Sequence, residues 1–146
     1  MLIGILWLFS LRWKLPPDFI PASGRGLMDW LLLEIQHPTF PFYANFVETT
    51  VIPNFLLFAW LIFLAELLTG ISLLTGTLTR LGALVGLLMS LNLGIGLLEV
   101  PGEWPWSYAM MAMWHGTFLI TAPGRLLGVD AWLREKRPFP LMDLLT

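Results

Sequence analysis

Residues 54–75 read NFLLFAWLIFLAELLTGISLLT, an apolar run with a single carboxylate, Glu66, near its middle. At about 1.5 Å of helix rise per residue, the run is long enough to cross a hydrocarbon core of roughly 30 Å. A charge at that depth is costly unless it is paired, protonated or hydrated, so Glu66 is a functional candidate from the outset.

Composition extends this reading to the whole chain. Of its 146 residues 57% are hydrophobic and only 12% charged, with a mean hydropathy of +0.76, which is the balance of an integral membrane protein. Cysteine is absent, which excludes disulfides, thiolate metal sites and cysteine nucleophiles. The two histidines, His37 and His115, are too few for a dedicated haem or zinc centre, so no metal site is expected. A net charge of −2 gives no reason to expect nucleic acid as a partner.

Working outward from residues 54–75, the expected fold is all-α. It is a single integral membrane domain, residues 1–146, built as a four-helix bundle with a long loop of interfacial helices between the first two helices. The spans fall at about residues 1–15, 54–75, 80–98 and 105–122. The first is short and is closed by Pro16-Pro17, which cannot continue a helix. It covers only about two thirds of a hydrocarbon core, so either the bilayer thins there or the chain begins later than its ancestors did. A cleaved signal peptide is not expected, because a basic start and a small-residue cleavage site are both missing. Asn54 is the expected N-cap of the second span. Gly82, Gly86, Gly94 and Gly96 on the third span allow close helix approach and place it centrally in the bundle. The fourth opens at Trp104-Pro105, with Pro in the first turn, and stops at Pro123-Gly124.

The interfacial segment, residues 16–53, is too long for a bare connection. Leu27, Trp30, Leu31 and Ile35 recur at helical spacing and predict a short interfacial helix over residues 26–36, ended by Pro38. Residues 41–51 predict a further turn or two, rich in aromatics suited to the headgroup level. In the tail, residues 124–146, Asp130 is expected to cap a brief helix over residues 131–136, followed by a Pro-broken extension. Arg80, Arg125, Arg134, Lys136 and Arg137 fall on the side of the termini, whereas Arg12, Lys14 and Arg25 fall on the other. The positive-inside rule then puts both termini in the cytoplasm, with the protein in the inner membrane.

Counting rise from the helix ends places Glu66 about 14 Å, His115 about 12 Å and Ser90 about 15 Å from the cytoplasmic boundary. These three polar residues therefore share one layer, and Asn92, a turn or less along, can join them. Such a cluster could hold a proton, hydrogen-bond a quinone carbonyl, or tie helices together. Each residue also has a plainer reading. Glu66 could brace the bundle as an ion pair, and His115, beside Trp114, could be a satisfied structural histidine. Arg12 and Lys14 sit where long side chains snorkel to the interface. The eight tryptophans read as belt residues, and Met110, Met111 and Met113 as adaptable packing rather than a copper site. A Gly-rich phosphate loop, HExxH, paired cysteines and facing haem histidines are all missing, so redox chemistry would need a partner that carries the cofactor.

The stretch ELLTGISLLTGTLTRLGA, residues 66–83, resembles the DoxX/DoxD family of small four-helix membrane proteins through its E-x-x-x-G, L-L-x-G and T-R-x-x-A elements. Trp13-Lys14-Leu15, Gly26-Leu27 with Trp30-Leu31, Pro53-Asn54, Asn92-Leu93 and the Gly128-Val129-Asp130 ending are similar to it as well, while the start of the first helix departs from it. The matched polar positions are Lys14, Glu66, Arg80 and Asn92. The resemblance implies a subunit associated with thiosulfate:quinone oxidoreduction or a terminal quinol oxidase. The first expectation is therefore an accessory, non-catalytic subunit of a quinone-linked membrane complex, aiding quinone access or assembly. Its partners would be lipids and other subunits, and its only ligand a quinone or a lipid. The alternative is a purely structural, lipid-contacting subunit of a respiratory or photosynthetic assembly. A small transporter is less favoured, because no middle span is broken as transporter sites are.

Overall fold

The computed structural model describes residues 1–20, 24–136 and 145–146, and it is all-helical over them. Its helices are α1 Leu2–Ser10, α2 Leu27–Gln36, α3 Pro41–Phe46, α4 Phe55–Thr75, α5 Thr79–Leu97, α6 Pro105–Thr121, α7 Gly124–Leu127 and α8 Val129–Lys136. A 3-10 turn, Leu11–Trp13, continues α1, and a π-helical turn, Val47–Val51, continues α3. Helices α4 and α5 are each long and apolar enough to cross a membrane, whereas α1 with its 3-10 turn is a shorter apolar helix. The Pro-broken extension expected at the end of the tail lies outside the described residues.

Local chemistry explains most of these boundaries. Asn54 occupies the N-cap position of α4, but its side chain turns back and donates to the Thr50 carbonyl at 2.9 Å. The helix ends where Gly76 adopts a left-handed φ of 68° and its N–H meets the Ser72 carbonyl at 2.8 Å. A side chain there would strain the backbone, and its Cβ would lie 2.6 Å from Gly128 Cα, so hand and space both call for glycine.

Asp130 corrects an expectation. It does not cap its own helix, because α8 begins one residue earlier, at Val129, and places Asp130 inside the first turn. Its buried carboxylate instead accepts from Leu78 N at 2.6 Å, Thr79 N at 2.9 Å and Thr79 Oγ1 at 2.7 Å. The opening N–H groups of a helix have no intrahelical acceptor, and here a residue distant in sequence supplies one for α5.

Helix α1 packs along α4, α4 along α5, and α5 along α6. At Gly4 the backbones of α1 and α4 touch: a Cβ there would lie 2.7 Å from Gly70 O and 2.9 Å from Leu74 Cα. From that contact the chain climbs α4 in the opposite direction, so Ser10 and Lys14 both reach Glu66. Helix α1 thus stops opposite the middle of α4. Phe19 follows it, fully buried against Leu27 and Ala59 and edge-on to Trp60 at 5.4 Å between ring centroids. Its φ of 58° is left-handed, at a cost of about 1–2 kcal/mol. Burying the ring returns about 1.5–3 kcal/mol, so the plug is held despite the strain. Beyond it, α2 buries Leu27, Leu31 and Glu34 on one face and covers the space that α1 leaves open.

Asp130→Ala removes the acceptor of the first α5 turn and is expected to lower stability by about 1–3 kcal/mol. Thermal unfolding in detergent reads this, with Asp130→Asn falling between the two proteins.

Candidate functional site

Glu66 is fully buried and is answered from α1. The Lys14 ammonium donates to its Oε1, and Ser10 Oγ lies 2.6 Å from its Oε2. Lys14 is only 2% exposed, which corrects the expectation that it snorkels to the interface. The cause is the length of α1: the helix ends at the level of Glu66, so a residue just past its end is still deep in the fold. Arg12, by contrast, is exposed, with its guanidinium 5.8 Å from the Phe9 ring centre. Lys14 also stands 4.0 Å above the Trp13 ring centre, which adds a cation–π contact to the ion pair. Ser10, absent from the sequence-based candidates, also lies 2.7 Å from the Trp7 carbonyl. Its single hydroxyl proton is shared between that carbonyl and Glu66.

His115 has its own set of polar contacts. Its Nδ1 is 2.6 Å from the Met111 carbonyl, which can only accept, so Nδ1 carries the proton. Nε2 is then free to accept, and Trp7 Nε1 donates to it at 2.8 Å. This pattern is that of a neutral imidazole with both nitrogens engaged by protein. Ser90 donates to Gly86 O at 2.7 Å and touches Nδ1 at 3.3 Å. Gly86 makes the space, since a Cβ there would run into the imidazole.

The four-residue layer read from the sequence therefore divides. His115 and Ser90 are together, Glu66 pairs with Lys14 and Ser10, and Asn92 accepts from the Tyr43 hydroxyl at 3.1 Å. Among the described residues no hydrogen bond joins Glu66 to His115. Their link is α1, whose Trp7 serves one and whose Ser10 serves the other. Arg80 sits in the first turn of α5, away from all three groups and near the Asp130 cap.

These groups border a cavity of about 1150 Å³ between α1 and its 3-10 turn, helices α2 and α3 with the π-helical turn, and helices α4 to α6. Its walls are mainly apolar, with Ile62, Met89 and Leu93 among them, and its polar edge includes Lys14, Glu66, Asn92 and His115. Sequence reasoning missed one further member, Glu34. It is 5% exposed, and burial on α2 pushes its carboxyl up to about 7. The signal was present in the spacing, because Glu34 falls on the same helical face as Leu27 and Leu31. Nearby Tyr43 is pushed up to about 12, first by burial and then by the adjacent Glu34 charge, with the Asn92 hydrogen bond acting in the opposite sense. Among the described residues no group of three or more His, Cys, Asp or Glu is arranged to hold a metal ion.

Comparison with known families gives one result. The family model described as TQO small subunit DoxD matches residues 19–140. That range contains Glu34, Glu66, Arg80, Ser90, Asn92 and His115, while Ser10 and Lys14 precede it. No curated protein and no solved structure matches the chain.

Breaking the buried pair from one side leaves an uncompensated charge. Lys14→Met and Glu66→Leu are each expected to cost about 3–5 kcal/mol, and the double variant to recover most of that loss. A double-mutant cycle of thermal unfolding in detergent checks this, and additive losses would show that the two side chains are not coupled.

Proposed function

The chain belongs to the DoxD family, and on that premise we propose that it is an accessory membrane subunit of a quinone-linked complex, in which the Lys14–Glu66 cavity admits the quinone. The family is that of a membrane subunit of a quinone-linked oxidoreductase. In this reading α1, α4, α5 and α6 form a four-helix bundle across the inner membrane, α2 and α3 lie in its interface, and the redox centres belong to partner chains.

The outer faces support the membrane placement. Leu57, Leu64 and Leu68 form an exposed stripe on α4, and Leu84, Leu88 and Leu91 form another on α5. Apolar stripes of this kind suit lipid or another apolar chain rather than water. Arg80, Arg125, Arg134 and Lys136 lie toward the end where α8 meets the α4–α5 turn, and Lys14, being in a buried pair, no longer counts toward the opposite end. The basic end, with both termini, then faces the cytoplasm.

The observation that carries the quinone reading is an ion pair set in the wall of an apolar cavity large enough for a ring and the start of an isoprenoid tail. A bound quinone supplies two carbonyl acceptors and the capacity to take up electrons and protons. This chain supplies a water-poor slot and donors at its edge. Glu66 engages one of the three N–H donors of Lys14, which leaves the ammonium able to meet a carbonyl oxygen as well. Within the site, Glu66 holds Lys14 in place, and His115, with both nitrogens engaged, positions Trp7.

A second reading, that the chain only braces a large assembly, is favoured by the complete pairing of Glu66. Purification of the complex in mild detergent, from cells carrying wild type or Glu66→Gln, separates the two. The accessory quinone role expects copurification of redox-carrying partners with bound quinone. It also expects the variant, whose amide oxygen still accepts from Lys14 where leucine cannot, to assemble with some loss of stability and to turn over about tenfold or more slowly. Loss of assembly in the variant supports bracing alone, and a wild-type chain that runs without redox partners or quinone contradicts the proposal.

A further inference from the structure

We propose that Glu34 is the proton-bearing residue of this cavity, a carboxylic acid that donates a hydrogen bond to an acceptor oxygen of the bound ligand and so makes occupancy depend on pH. The inference rests on the quinone reading of the same cavity for the identity of that acceptor, a carbonyl oxygen.

The geometry around Glu34 leaves one carboxyl oxygen without a partner among the described residues. Its Oε2 is buried and, among the described residues, meets no hydrogen-bond partner, an arrangement that is costly unless something else satisfies it. The hydroxyls nearest in character are already committed, Tyr43 to Asn92 and Tyr108 to Glu103. The carboxyl group is nevertheless given room. It packs over Gly96 of α5, where a Cβ would lie 2.6 Å from both Cδ and Oε1 of Glu34. Even alanine at 96 would displace it. An acidic side chain on the apolar face of α2, seated on a glycine and bordering the cavity, is placed to meet whatever fills that cavity.

The charged and titratable surroundings give the sign. Tyr43 on α3 faces Glu34 and remains a neutral hydroxyl at ordinary pH, and Tyr108 on α6 is a hydroxyl held by Glu103. The π-helical turn packed on α2 offers only Glu48, which is exposed, and α5 brings no charged residue to this end. Glu103 and Arg25 border the same cavity, but Glu103 is engaged by Tyr108 and Arg25 stacks 5.6 Å from the Trp30 ring centre. Among the described residues no cation is paired with Glu34, and burial raises its carboxyl to about 7. Below that pH the group is a donor. Above it the carboxylate can only accept, and it repels a carbonyl oxygen.

The test uses decylubiquinone and the purified complex in nanodiscs, with binding read from quenching of tryptophan fluorescence, since Trp7, Trp13 and Trp30 border the cavity. Affinity is expected to weaken about tenfold between pH 6 and pH 8 in the wild type, the change given by a single donor titrating near neutrality. Glu34→Gln keeps a donor in place and is expected to bind with little change across that range. Glu34→Asp, a shorter acid, is expected to bind more weakly and to retain the slope. A wild-type affinity that does not change with pH, or an equal slope in Glu34→Gln, overturns the role of Glu34 while leaving the quinone site standing. Absence of decylubiquinone binding at both pH values overturns the quinone reading itself.

Discussion

The buried contact between Lys14 and Glu66 is the constraint on which the rest of the structure depends. A carboxylate in the middle of an apolar helix must be matched, and the matching cation comes from the end of a helix that is only half as long as its neighbour. The ion pair therefore fixes where α1 stops along α4, and the backbone contact at Gly4 fixes how closely the two helices approach. With α1 ending at that level, the remaining half of its groove has to be filled by something else. The chain fills part of it with Phe19 and roofs the rest with α2 and α3, and the cavity is what remains.

Polar groups inside this fold depend on the glycines of α5 for space. Gly82 receives Ser72, Gly86 receives His115 and Gly96 receives Glu34. Small residues on a central helix are usually read as letting two backbones approach, and here they also admit polar side chains from three other helices. The result separates two kinds of polar group. The His115 set borders the cavity with every strong donor and acceptor already engaged by protein, and it stiffens the packing of α1 against α6. The Lys14 ammonium and Glu34 border the same space with hydrogen-bonding capacity to spare.

Helices α4 and α5 were legible because each is a long apolar run and because Gly76 marks the turn between them. Glu66 was legible from its cost, and the depth count placed Ser90 and His115 at one level. Depth alone does not give direction around a helix. Two residues of α-helix turn about 200°, so Asn92 faces away from Ser90 and meets Tyr43 instead. The burial of Lys14 was missed because a lysine before two prolines looks interfacial. The information was nonetheless present, since a span too short to cross a bilayer must end inside it. Asp130 was misplaced for a different reason: which helix a carboxylate caps is decided by a tertiary contact with the α4–α5 turn, and no local signal records it.

The central claim is that the space beside the Lys14–Glu66 pair is a quinone site. Photolabelling of the membrane-embedded complex with an azidoquinone, followed by mass spectrometry of the labelled peptides, tests it most directly. The account expects label on cavity-lining positions of α1 and α4, among them Leu6, Trp7, Leu61 and Ile62, and expects excess unlabelled quinone to suppress it. Label confined to partner chains, with none on these two helices, would contradict the account.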